Sequence, residues 1–103
     1  MFVVFEVAKA NARKAENVFK DDLVSRQSIV VRESRALGIK ALGDKDVQYI
    51  LIEGGSPEAL ERAKTLFKDI GTPLPDNDAK LVRDTIHEQD DTAATGVGMI
   101  FGD

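Results

Sequence analysis

Val47-Gln-Tyr-Ile-Leu-Ile-Glu53, followed by Gly54-Gly-Ser-Pro-Glu-Ala-Leu-Glu-Arg-Ala-Lys-Thr-Leu-Phe-Lys-Asp-Ile-Gly71, spells a strand, a tight turn and a capped helix without a break. The first seven residues are rich in β-branched and aromatic side chains, and Gly54-Gly55 ends them with the backbone freedom a sharp turn needs. Ser56 is placed to cap a helix, Pro57 suits its first turn, and Glu58 complements the positive end of the helix dipole. Ala59, Leu60, Ala63, Leu66, Phe67 and Ile70 repeat at helical spacing. Gly71 and Pro73 supply the stop.

Outward from that segment, Phe2 to Val7 reads as a strand that is apolar on both parities, which points to a central place in its sheet. Ala8 to about Ser25 reads as a helix, with Ala8, Ala12, Ala15, Phe19 and Leu23 along one side. Gln27 to about Arg35 is a second strand, and Lys40 to Asp46 turns it into the strand at Val47. Asp76, Asn77 or Asp78 caps a third helix carrying Leu81, Val82, Thr85 and Ile86 and ending near Gln89. Asp90-Asp-Thr-Ala-Ala-Thr-Gly96 reads as a loop, and Val97 to Phe101, interrupted by Gly96, Gly98 and Gly102, reads as a last strand. The order β-α-β-β-α-α-β predicts an α+β fold on the ferredoxin-like split βαβ plan, with one helix inserted before the last strand and residues 1–103 forming one domain.

On this reading the first and third strands lie side by side and parallel. Period-two alternation puts Val3, Phe5, Val7, Ile50 and Ile52 beneath the helices. Phe2, Val4, Glu6, Tyr49, Leu51 and Glu53 then share the other face, an apolar patch with Glu6 and Glu53 together at one end. Such patches become interfaces or ligand sites unless another element covers them, here the third helix. Phe2, Tyr49, Leu51, Glu6 and Glu53 are therefore the candidate binding residues.

Composition narrows the chemistry. The chain has no cysteine and one histidine, His87, which excludes disulfides, thiol catalysis, zinc-thiolate sites and multi-histidine cages. No cofactor is implied. The apolar N-terminus has no basic n-region and meets Glu6 too early for a signal peptide or a membrane span, so a cytoplasmic protein is expected. Residues 76–103 hold seven acids against two basic residues, which disfavours nucleic-acid partners. Asp84, His87, Glu88 and Asp91 have metal-ligand chemistry at helical spacing, although acidic helix surfaces are ordinarily just solvated, and no metal site is assigned. Arg32, Arg35, Lys40 and Lys45 give the second-strand hairpin a basic edge of the kind that discourages aggregation. Gly54-Gly55 is not followed by the lysine of a phosphate-binding loop.

Two local resemblances bear on function. The plan, with Phe2 and Tyr49 on the two central strands, resembles RNA-recognition motifs, which implies base stacking on the open face; residues 46–53 lack that family's glycine-aromatic pattern. Thr95-Gly-Val-Gly-Met-Ile-Phe101 is similar to the Gly-x-Gly strand of nitrogen-regulatory PII proteins, but Met99 stands where that family has a basic residue, so nucleotide binding does not carry over. The expectation is a small binding or regulatory module that self-associates through the open sheet face, open to a small-molecule effector. The alternatives are a small enzyme using Glu6 and Glu53 as a carboxylate pair, and a weak RNA binder.

Overall fold

The computed structural model of the chain describes residues 1–101, with side chains described through residue 90. Its elements are β1 (Phe2–Ala8), a 3-10 turn (Lys9–Asn11), α1 (Ala12–Val18), α2 (Asp22–Ser25), β2 (Ser28–Glu33), α3 (Ser34–Leu37), a second 3-10 turn (Lys40–Leu42), β3 (Val47–Glu53), α4 (Pro57–Leu66), β4 (Thr72–Pro73) and α5 (Asp76–Phe101). Together they make a mixed α+β fold with a four-stranded antiparallel sheet.

The turn and cap after β3 form as the sequence dictates. The Ser56 hydroxyl accepts the Ala59 N–H at 3.2 Å, and Pro57 occupies the first turn of α4. The helix expected from Ala8 to Ser25 is divided. Asp21 turns its carboxylate onto the N–H groups of Leu23 and Val24, at 3.2 and 3.3 Å, and so restarts the chain as α2. Beyond β2, the left-handed Gly38 (φ 62°) closes α3, a turn of helix that the hairpin reading did not contain.

The sheet order is β2-β3-β1-β4, and every neighbouring pair is antiparallel. This corrects the expectation that the first and third strands run parallel. β3 returns from β2 by a short connection, so it must oppose β2, and it enters the sheet between β2 and β1. Parallel strands are therefore never neighbours: β1 and β2 run the same way with β3 between them, and β3 and β4 with β1 between them.

The fourth strand is also not the one expected. Thr72–Pro73 follows α4 directly and lies against Glu6 and Phe5 of β1. Gly71 makes this approach possible, because a Cβ there would stand 2.7 Å from the Glu6 carbonyl oxygen. Residues 90–96, read as a loop, and 97–101, read as a strand, instead continue α5. No proline interrupts this stretch, and Ala93, Ala94 and Met99 are good helix formers that offset Gly96 and Gly98. Gly102 lies outside the described residues. The extra helix thus follows the last strand.

Both sheet faces are covered. Val3, Phe5, Val7, Ile50 and Ile52 pack under α1, α2 and α4, where the Phe5 and Phe67 rings stack with centroids 4.3 Å apart. Val4, Tyr49 and Leu51 pack under Ala79, Val82 and Ile86 of α5 together with Leu37. The division of residues between the faces is the one that period two predicts, because residues directly opposite across β1 and β3 share a face whatever the strand direction. Burying each large aliphatic side chain of this kind contributes roughly 1.5–3 kcal/mol, well above the ~0–1 kcal/mol of an exposed ion pair. Apolar contact therefore holds α5 down, and its polar contacts set register. No helix among the described residues is long and apolar enough to cross a membrane.

Candidate functional site

The antiparallel register separates the two candidate carboxylates. Glu53 lies opposite Phe2, and Glu6 lies opposite Tyr49, so four residues of strand divide them, roughly 13 Å at about 3.3 Å per residue. They share a sheet face but sit at opposite ends of it, and each has its own partners. The carboxylate pair expected from the sequence is not assembled.

Glu6 belongs to a cluster near the connection from β2 to β3. Its Oε1 accepts the Tyr49 hydroxyl at 3.2 Å and the Lys45 ammonium at 3.3 Å. Tyr49 is fully buried, and burial pushes its phenol above the ordinary tyrosine value, with the Glu6 charge and hydrogen bond adding to the rise. The phenol is accordingly a standing donor to Glu6 and not a base. Ser34, also buried, donates to the Gly43 carbonyl at 3.2 Å and accepts the Lys45 N–H at 3.3 Å, pinning the connection to the end of β2. Each of these groups is occupied by another, and the cluster presents no activated nucleophile.

At the other end, Glu53 Oε1 meets His87 Nε2 at 2.5 Å, and the Arg83 guanidinium lies 4.4 Å from the centre of the Phe2 ring. Arg32 pairs with Asp90 at 2.9 Å, and the Gln89 amide donates to the Ala36 carbonyl at 3.0 Å. All four contacts fasten the stretch 83–90 of α5 to the body of the protein. Helical spacing alone singled out Asp84, His87, Glu88 and Asp91, but their geometry is not that of a ligand set. Asp84 pairs with Arg83 at 2.8 Å and His87 is turned to Glu53; the Asp91 side chain is outside the described residues. Among the described residues no three acids or histidines converge as a metal site.

The basic edge of the β2–β3 hairpin is largely neutralised from within. Arg32 is held by Asp90, Arg35 by Asp44 at 3.4 Å and Lys45 by Glu6, while Lys9 bridges Glu33 and Asp46 at 3.5 and 3.3 Å. At Gly54 an added Cβ would meet the flexible amide end of the Gln27 side chain, which packs over the turn. Tyr49 and Leu51 lie beneath α5, and only Phe2 of the expected binding residues combines an aromatic surface with partial exposure. Among the described residues, both faces of the sheet are covered where a stacking platform was expected.

What sequence reasoning missed is the edge of β1. A cleft of about 560 Å³ opens where β4 stops, between Phe2 and Val4 on one side and the first turns of α5 on the other. Smaller clefts of about 490 and 420 Å³ lie beside Lys14 and Leu66, and beside Arg35 and Ile39. Pro73 and Pro75, which have no N–H to give a strand ladder and keep β4 short, were the available signal. Comparisons with protein-family models, curated proteins and solved structures find no significant match for this chain.

Proposed function

We propose that the protein is a small cytoplasmic binding or regulatory module, ferredoxin-like in plan, that self-associates through the C-terminal half of α5. One observation carries this reading. α5 continues through residues 91–101, beyond Asp90, its last polar fastening among the described side chains, and the sequence from Thr92 to Phe101 contains no charged residue while including Val97, Met99, Ile100 and Phe101. An uncharged apolar helical stretch of this length favours burial against another surface. The sheet face first expected to serve this purpose is occupied by the other half of the same helix, so the interface moves outward along α5. A second copy supplies a matching surface by symmetry.

The absence of cysteine makes a direct test clean. In the Ile100→Cys variant, mild oxidation should give a disulfide-linked dimer within minutes at micromolar concentration. The Ser28→Cys variant, carrying its thiol on β2, should remain unlinked. Equal, slow cross-linking of both would count against the interface.

A further inference from the structure

We propose that the uncovered half of the β1 edge is a docking groove for a short extended apolar peptide bearing a carboxylate, bound by strand addition. The argument begins with the backbone. The Met1 carbonyl accepts from Gly54 on the β3 side, and the Val4 carbonyl accepts from Leu74 on the β4 side at 2.9 Å. Backbone groups alternate along a central strand, so the N–H and C=O of Phe2 also point toward the β4 side. β4 pairs with β1 only at Phe5 and Glu6, and after Leu74 the chain turns at Pro75 into α5. Among the described residues, the donor and acceptor of Phe2 therefore have no strand opposite them.

A cleft lies where that strand would run. It measures about 560 Å³, within the range that small ligands and short peptides occupy, and its accessible apolar walls include Met1, Phe2 and Leu74. Two ammonium groups, Lys64 and Lys80, stand on its rim against one carboxylate, Asp76. Lys64 is shared with Glu61 at 3.3 Å, whereas Lys80 has no ion pair among the described residues. A peptide continuing in the direction of β4 would exchange both hydrogen bonds with Phe2, lay its side chains against the apolar walls and bring its carboxylate to Lys80. This groove involves neither the C-terminal half of α5 nor the self-association proposed above, so the two stand or fall separately.

The test uses the full chain, 15N-labelled, titrated with acetyl-Val-Leu-Val as free acid, the same peptide as its C-terminal amide, and acetyl-Val-Leu-Val-Asp amide. The expected result is a saturable shift of the Phe2 amide and slowed hydrogen exchange there. N-methylation of the central leucine should weaken binding at least tenfold, and so should Lys80→Glu, a surface change that leaves the melting temperature in place. A free acid that outbinds both other probes identifies a chain terminus as the ligand group; preference for the aspartyl peptide identifies an acidic side chain. Failure of the Phe2 amide to respond at millimolar peptide would overturn the proposal. So would indifference to N-methylation or to the carboxylate, or a Phe2 amide already protected in proportion to protein concentration, which would assign the edge to a second copy.

Discussion

Tyr49 joins the packing of the sheet to its electrostatics. It is the only tyrosine, it is fully buried, and its hydroxyl donates to Glu6. Because its folded pKa is raised, the unfolded chain releases this proton first. The resulting stability is fully present below about pH 10 and is lost as pH rises through the folded value. Tyr49→Phe should cost about 1 kcal/mol at pH 7, leaving Lys45 as the partner of Glu6. Urea unfolding at pH 7 and pH 11 should then show the variant losing less stability with alkali than the parent. Gly71→Ala is the sharper backbone test, since the new methyl group would press on the Glu6 carbonyl. A loss of roughly 1–3 kcal/mol is expected, with faster exchange of the Leu74 amide as β4 lifts from β1. Side-chain parity was legible in the sequence because alternation is local. The distance from Glu6 to Glu53 was not, because it depends on strand direction, which is fixed by how β3 enters the sheet.

α5 divides into a docked half and a continuing half, and the sequence disclosed them unequally. Val82 and Ile86, one helical turn apart, announced a packed stripe, and they lie on Val4, Tyr49 and Leu51. Ile86→Ala should destabilise the fold by about 2–5 kcal/mol and increase dye binding to exposed apolar surface, both measurable in one denaturation series. Glu53→Gln weakens only a partly exposed fastening, so its effect on stability should stay below about 1 kcal/mol. Residues 97–101 were misread because a short apolar run flanked by glycines has the same appearance in a strand and in a helix, and periodicity over five residues cannot separate them. The helix at Pro57 carried its own cap and turn signals and starts where they place it, but it ends at Leu66, and the chain reaches the stop read at Gly71 through a turn. Thr72–Pro73 carried none of the usual strand signals, since its pairing depends on the gap left beside β1 and on a glycine small enough to approach it.

For the protein as a whole, the apolar sheet face that suggested an interface is satisfied within the chain, and the surface proposed for assembly lies farther along the helix that satisfies it. The two halves of α5 then have separable effects: substitutions in residues 79–86 should change stability, and substitutions in residues 97–101 should change mass. Light scattering over a micromolar concentration series, on the parent chain and on Val97→Lys combined with Ile100→Lys, tests this division most directly. The parent should have at least twice the 11.2 kDa chain mass, and the variant should fall to 11.2 kDa with Tyr49 still buried. A parent that remains at 11.2 kDa throughout, or a variant whose mass does not change, would contradict it.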